Sequence, residues 1–147
     1  MTYDASIPTP DTPLVDFDVQ CVLFVRMFNF LTAERAALAL GLSGETGLAA
    51  VEELERSDRI FSILFAGRRL YLADQFMRGE PRRIYEQIAR RVKEQIGLVD
   101  GWTIVFFVCQ PNSYLGGRLP LQDIAAESPE ERTMELLEAY LQSPDVY

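Results

Sequence analysis

The chain of 147 residues contains no histidine. Histidine-based triads, general-base histidines and most zinc sites are thereby excluded. The two cysteines, Cys21 and Cys109, stand too far apart for a Cys-x-x-Cys pair or a metal cluster and could close at most one disulfide. Each sits in an apolar run, which predicts a small buried hydrophobe. Lysine is nearly absent too: Lys93 stands alone beside 13 arginines. No uncharged stretch reaches the ~20 apolar residues of a spanning helix. The uncharged residues 103–117 are broken by Gln110, Pro111, Asn112 and two glycines. The N-terminus shows no basic segment followed by an apolar run, so no secretory signal is expected and the cytoplasm is the expected location. No Ser/Lys, Cys/acid or paired-carboxylate set occurs at a recognisable spacing. Neither enzymatic activity nor a cofactor is expected.

What is present is the composition of a folded protein, 48% apolar and 24% charged, at a length for one domain or two small modules sharing a core. The charge is uneven. Residues 56–93 hold ten of the 14 cations against four acids, whereas the remaining chain holds four cations and 18 acids. Such asymmetry implies either a basic face for an anionic partner or an acidic end folding back on a basic middle.

Residues 1–13, with Pro8, Pro10 and Pro13 among Thr and Asp, read as a flexible lead-in. Residues 14–30 are densely apolar, and their period does not decide between helix and strand, although length favours a buried helix. Thr32 is placed to cap a helix that Gly41 stops, and Ser43 to cap a second one through Leu48, Val51 and Leu54. The β-rich runs 60–65 and 70–72 flank residues 66–69 as a hairpin, with Arg59 opening its first strand and Arg68 and Arg69 at its tip. Three helices followed by a hairpin form the order of a winged helix-turn-helix module over residues 14–76. Its second helix carries Glu45, Glu52, Glu53 and Glu55, which suits neither base edges nor phosphates. DNA contacts are therefore expected from Arg59, Arg68, Arg69, Arg82 and Arg83. Packing or dimerisation through the module is the competing reading.

Residues 77–147 read as a helical domain. Pro81 suits a first helical position, and Ile84, Ile88, Val92 and Ile96 recur every four residues. Residues 102–109 are apolar almost all round and belong in a core. Ser128-Pro129-Glu130-Glu131 signals the start of a last helix, with Met134, Leu137, Tyr140 and Leu141 available for packing. The expected fold is thus mainly α: a helix-turn-helix module with a small β-hairpin, followed by a C-terminal helical domain.

The stretch from Gly101 to Leu121 contains Pro111-Asn112, a short spacer, Leu115-Gly116-Gly117-Arg118 and Pro120-Leu121. It resembles the toxin-binding domain of the Xre/MbcA/ParS antitoxins, in which an apolar helix, Pro-Asn, Leu-Gly-Gly and Pro-Leu occur in this order. The resemblance covers residues 80–142. It implies a bacterial type II antitoxin, often dimeric, that neutralises a RES-type toxin and in many members represses its own operon. On that resemblance the partner-binding residues are Pro111, Asn112, Tyr114, Leu115, Gly116, Gly117, Arg118, Pro120 and Leu121, together with the last helix. The acidic second helix departs from the family's DNA-binding domain. A dimeric transcriptional regulator without a toxin partner, or an accessory protein that has lost both activities, stands as the alternative. The apolar runs 17–28 and 102–109 and the supply of aromatics predict a homodimer.

Overall fold

The computed structural model describes residues 16–142, so the lead-in of residues 1–13 lies outside the described residues. The chain is mainly helical with small antiparallel sheets. Helix α1 (Asp16–Met27) settles the open period of the first apolar run. Cys21 and Phe24 are buried and Val25 and Phe28 half-buried, the i, i+3, i+4, i+7 spacing of one helical face.

Strand β1 (Phe30–Leu31), which sequence patterning does not reveal, separates α1 from helix α2 (Ala33–Ala39). Thr32 caps α2 as expected, its hydroxyl accepting from the Arg35 N–H at 3.3 Å. Helix α3 (Gly44–Arg56) follows, and Ser43 before it makes no side-chain cap bond. The two helices cross closely because Gly47 lacks a side chain: a Cβ there would lie 2.9 Å from that of Ala37.

Strands β2 (Ile63–Phe65) and β3 (Arg68–Leu72) form the expected hairpin, but its details differ from expectation. The turn is Ala66-Gly67 alone, so Arg68 and Arg69 lie within β3, opposite Phe65 and Leu64, and not at the tip. Arg59 does not open a strand either. Ile60 and Phe61, the residues after it, are pulled into the core before β2 begins. Strand β3 also pairs with β1, giving the sheet order β1-β3-β2. Sequence alone missed a second small hairpin, β4 (Phe76–Met77) with β5 (Glu80–Pro81). Pro81 belongs to β5, and helix α4 (Arg83–Ile96) starts two residues later than expected.

Of the four recurring apolar residues on α4, Ile88 and Val92 are fully buried, Ile84 is half-buried and Ile96 is exposed. The buried face turns instead to include Tyr85 and Ala89. Helix α5 (Gly101–Val108) is capped by Asp100, which accepts from the Trp102 N–H and the Thr103 hydroxyl. Helices α6 (Pro120–Ala125) and α7 (Glu130–Gln142) complete the described chain. The last helix begins one residue after Pro129, whose carbonyl accepts the first helical hydrogen bonds.

The main core joins Phe24, Phe61, Ile63 and Leu72 to Tyr85, Ile88, Val92, Leu137 and the inner residues of α5. Helix α5 is its centre: Ile104, Val105, Phe107 and Val108 are all buried. A smaller cluster holds Ala36, Ala37, Val51, Ile60 and Tyr71 under α2 and α3. The residue 76/77 boundary falls inside β4, and the main core draws on both sides of it.

Most cations of the basic stretch meet a carboxylate within the chain. Arg69 meets Glu55 at 3.0 Å and Lys93 meets Asp58 at 2.9 Å. The acidic last helix lies along α4, where Glu138 pairs with Arg91 and Glu130 stands 3.7 Å from Arg83. The hydrogen bond from Arg91 holds the Glu138 carboxyl below its ordinary range.

Candidate protein-binding site

The Pro-Asn…Gly-Gly segment forms one closed loop between α5 and α6. Asn112 is buried at its centre. The Asn112 side chain accepts from the Tyr114 N–H at 2.9 Å, and its carbonyl accepts from the Leu115 and Gly117 N–H groups at 3.0 Å. Its own N–H donates to the Arg118 carbonyl at 3.0 Å, joining the two ends of the loop. Gly116 and Gly117 both hold positive φ, 66° and 88°, which explains the glycine pair at the loop's return. Leu115 and Pro120 are buried and Leu121 half-buried, so they anchor the loop. Pro111, Gly116, Gly117 and Arg118 are exposed, as is Tyr114, at 74%.

Tyr114 and Leu115 form one wall of a groove whose other wall is α7. A cavity of about 390 Å³ lies between them, lined further by Arg132, Glu135, Leu136 and Ala139. Leu115, Leu136 and Ala139 supply an apolar floor, and the charged residues form its rim. The four α7 residues share one helical face, which their i, i+3, i+4, i+7 spacing shows in the sequence. Sequence reasoning named the last helix but none of these four.

Arg118 does not project freely. It donates to Asp123 at 2.6 Å, and Arg132 meets the other oxygen of the same carboxylate at 3.1 Å. Asp123 is 3% exposed. No sequence signal links these three residues, because the loop and the α6–α7 turn bring them together.

The arginines expected at DNA are dispersed. Arg82 is one-tenth exposed and turned inward, donating to Asp74 at 3.3 Å and to the Ile124 carbonyl at 2.6 Å. Arg69 lies against Glu55, which also accepts from Ser62 and from the Tyr71 hydroxyl. Burial first, and then this bond to Glu55, push the Tyr71 hydroxyl well above its ordinary range. Arg59, between α3 and β2, Arg68 on β3 and Arg83 on α4 are exposed. The solvent face of α3 presents Glu45, Leu48, Ala49, Glu52 and Glu53, and its one cation, Arg56 in the last turn, is paired with Glu53.

A half-buried polar network joins Asp74, just before β4, to Arg82 and Tyr85 at the start of α4. The Tyr85 hydroxyl donates to Asp74 at 2.6 Å. Burial raises the Asp74 carboxyl above its ordinary range, against the opposing pull of Tyr85 and Arg82. Burial also pushes the Cys109 thiol up to about 12. Both cysteines are buried, as their apolar surroundings predict. Among the described residues no helix is long and apolar enough to cross a membrane.

Comparison with protein-family models, with curated proteins and with solved structures gave no match.

Proposed function

We propose that the chain is an antitoxin-like regulatory protein that binds a partner protein through the α5–α6 loop and α7. The observation that carries the reading is the groove between Tyr114 and α7. An exposed aromatic beside an apolar floor with a charged rim is the composition of an interface anchor point. The loop is held by four hydrogen bonds around Asn112, so little ordering cost accompanies binding. The resemblance to the toxin-binding domain of the Xre/MbcA/ParS antitoxins points to the same surface, with a RES-type toxin as the partner. The test is co-expression with the product of the adjacent gene, comparing wild type with Tyr114→Ala. Co-purification and relief of toxicity, both reduced by Tyr114→Ala, support the reading. A wild-type protein that does neither overturns it.

A regulator that binds DNA is the second reading, favoured by the order α1-β1-α2-α3-β2-β3 with β1 joining the hairpin sheet. That order supports the winged helix-turn-helix reading. The acidic and apolar face of α3 argues against base readout by that helix, which leaves phosphate contacts from Arg59, Arg68 and Arg83. Three such contacts give a slope near −2.7 in log K against log salt, at about −0.9 each. Binding to the chain's own promoter with that slope, in the absence of any toxin neighbour, would favour this reading.

A further inference from the structure

We propose that Arg118 and Arg132 form a receptor for an aspartate or glutamate side chain of the partner protein, at the rim of the groove. The inference rests on the partner-binding reading and adds the chemistry of the contact. Residues 94–147 contain two cations against nine acids. The fold brings both cations to the same point, the buried carboxylate of Asp123. One negative charge faces two positive ones there, leaving an excess positive charge at the surface of an acidic half.

The two guanidinium groups are 54% and 51% exposed, whereas Asp123 is 3% exposed. The carboxylate therefore holds them from below while their outer nitrogens face solvent. Arg118 reaches Asp123 through one terminal nitrogen. Arg132 approaches through Nε, and Asp123 Oδ2 nevertheless accepts no hydrogen bond, so the contact is one of charge without a directed bond. Among the described residues the terminal nitrogens of Arg132 have no hydrogen-bond acceptor. Guanidinium groups drawn to one buried carboxylate, with donors still turned to solvent, match the planar, bidentate geometry of a second carboxylate.

Charge selects the occupant. The chain carries −8 overall, so an acidic side chain is repelled over most of its surface and attracted here. Glu135, three residues along α7, lines the same groove and orients the partner. The partner's carboxylate must lie at the arginine end, with an adjacent apolar side chain over Leu115, Leu136 and Ala139.

The test measures affinity for the adjacent-gene product by calorimetry, using wild type, Arg118→Gln, Arg132→Gln and Arg132→Lys. A triple variant, Arg118→Gln with Asp123→Asn and Arg132→Gln, removes the buried charge together with its partners and so avoids stranding it. Each variant is first shown to keep the wild-type circular dichroism and melting temperature. Each single Gln substitution is expected to weaken binding about tenfold. Arg132→Lys should recover less than half of that loss in log units, because lysine keeps the charge without the planar fork. A folded triple variant that binds within twofold of wild type overturns the inference while leaving the partner-binding reading intact. Displacement of the partner by a short DNA duplex, lost in the same variants, assigns the arginines to phosphate and also overturns it. Wild type that does not bind the product overturns the reading and the inference together.

Discussion

The side-chain amide of Gln75 closes on the backbone of Phe61: Oε1 accepts from the Phe61 N–H and Nε2 donates to its carbonyl, each at 2.9 Å. Both residues are buried, and the pair acts as one rung of a ladder where no strand is present. It fixes the segment leading into β2, which places Ile60 in the smaller core and Phe61 in the main one.

Gln75→Leu keeps the volume and strands the Phe61 N–H and carbonyl without water. A buried unsatisfied group costs about 1–3 kcal/mol, so the variant should lose about 3 kcal/mol in urea unfolding. A loss below about 0.5 kcal/mol, within the range of a neutral surface change, would show that water reaches the pair.

Gly101 lies against the backbone of Ser62: an added Cβ would come within 1.9 Å of its carbonyl oxygen. Backbone on both sides cannot yield cheaply, so Gly101→Ala should destabilise by about 3 kcal/mol. Gly47→Ala meets the Ala37 Cβ at 2.9 Å and should cost less, because a small shift of two helices relieves it. Equal melting temperatures for wild type and Gly101→Ala would contradict the close packing of α5 on β2.

The β2–β3 turn holds Ala66 at φ 60° and Gly67 at φ 71°. Two consecutive left-handed residues suit an Asn-Gly pair, and alanine is strained in the first position. Ala66→Asn should therefore stabilise by about 0.5–1 kcal/mol, read as a raised melting temperature. A lowered one would mean that the turn has another form in solution.

Asp74 has its carboxyl pKa raised by burial, so the folded state holds the proton more tightly than the unfolded chain. Between the ordinary value and the raised one, the native protein binds more protons, and stability falls as pH rises. Its contribution is thus greatest below the unfolded-state pKa and is lost as pH passes the folded one. Asp74→Asn keeps an acceptor for Tyr85 and removes this titration. The stability of wild type relative to Asp74→Asn should decline as pH rises from 4 to 7 in unfolding series. A difference that is constant or grows with pH would refute the assignment.

The patterns that survive in one dimension are those with a local cause. The Thr32 cap, the Gly41 stop, the hairpin around Gly67 and the apolar centre at residues 102–109 follow from backbone preference and hydrophobic spacing over a few residues. The Pro-Asn…Gly-Gly loop is legible for the same reason, since its positive φ angles need glycine. Helix α1 was ambiguous because both of its faces are rich in apolar residues, and only packing against Phe106 and the α5 face decided which one turned inward.

Other features depend on residues that meet across long separations. Strand β1 is two residues long and exists because β3 offers it a free edge. Pro81 looks like a helix start, but its pairing with Phe76 makes it a strand residue. Arg82 reads as a surface cation, yet Asp74 and the Ile124 carbonyl draw it inward. Local patterning by itself determined a mainly helical chain with a split charge, and composition a chain without histidine chemistry. Tertiary structure decided that most cations of the basic stretch meet a carboxylate, and that Arg118, Asp123 and Arg132 share one point beside the groove. Ion pairing and burial act through space, and no spacing along the chain encodes which distant partner a side chain will find.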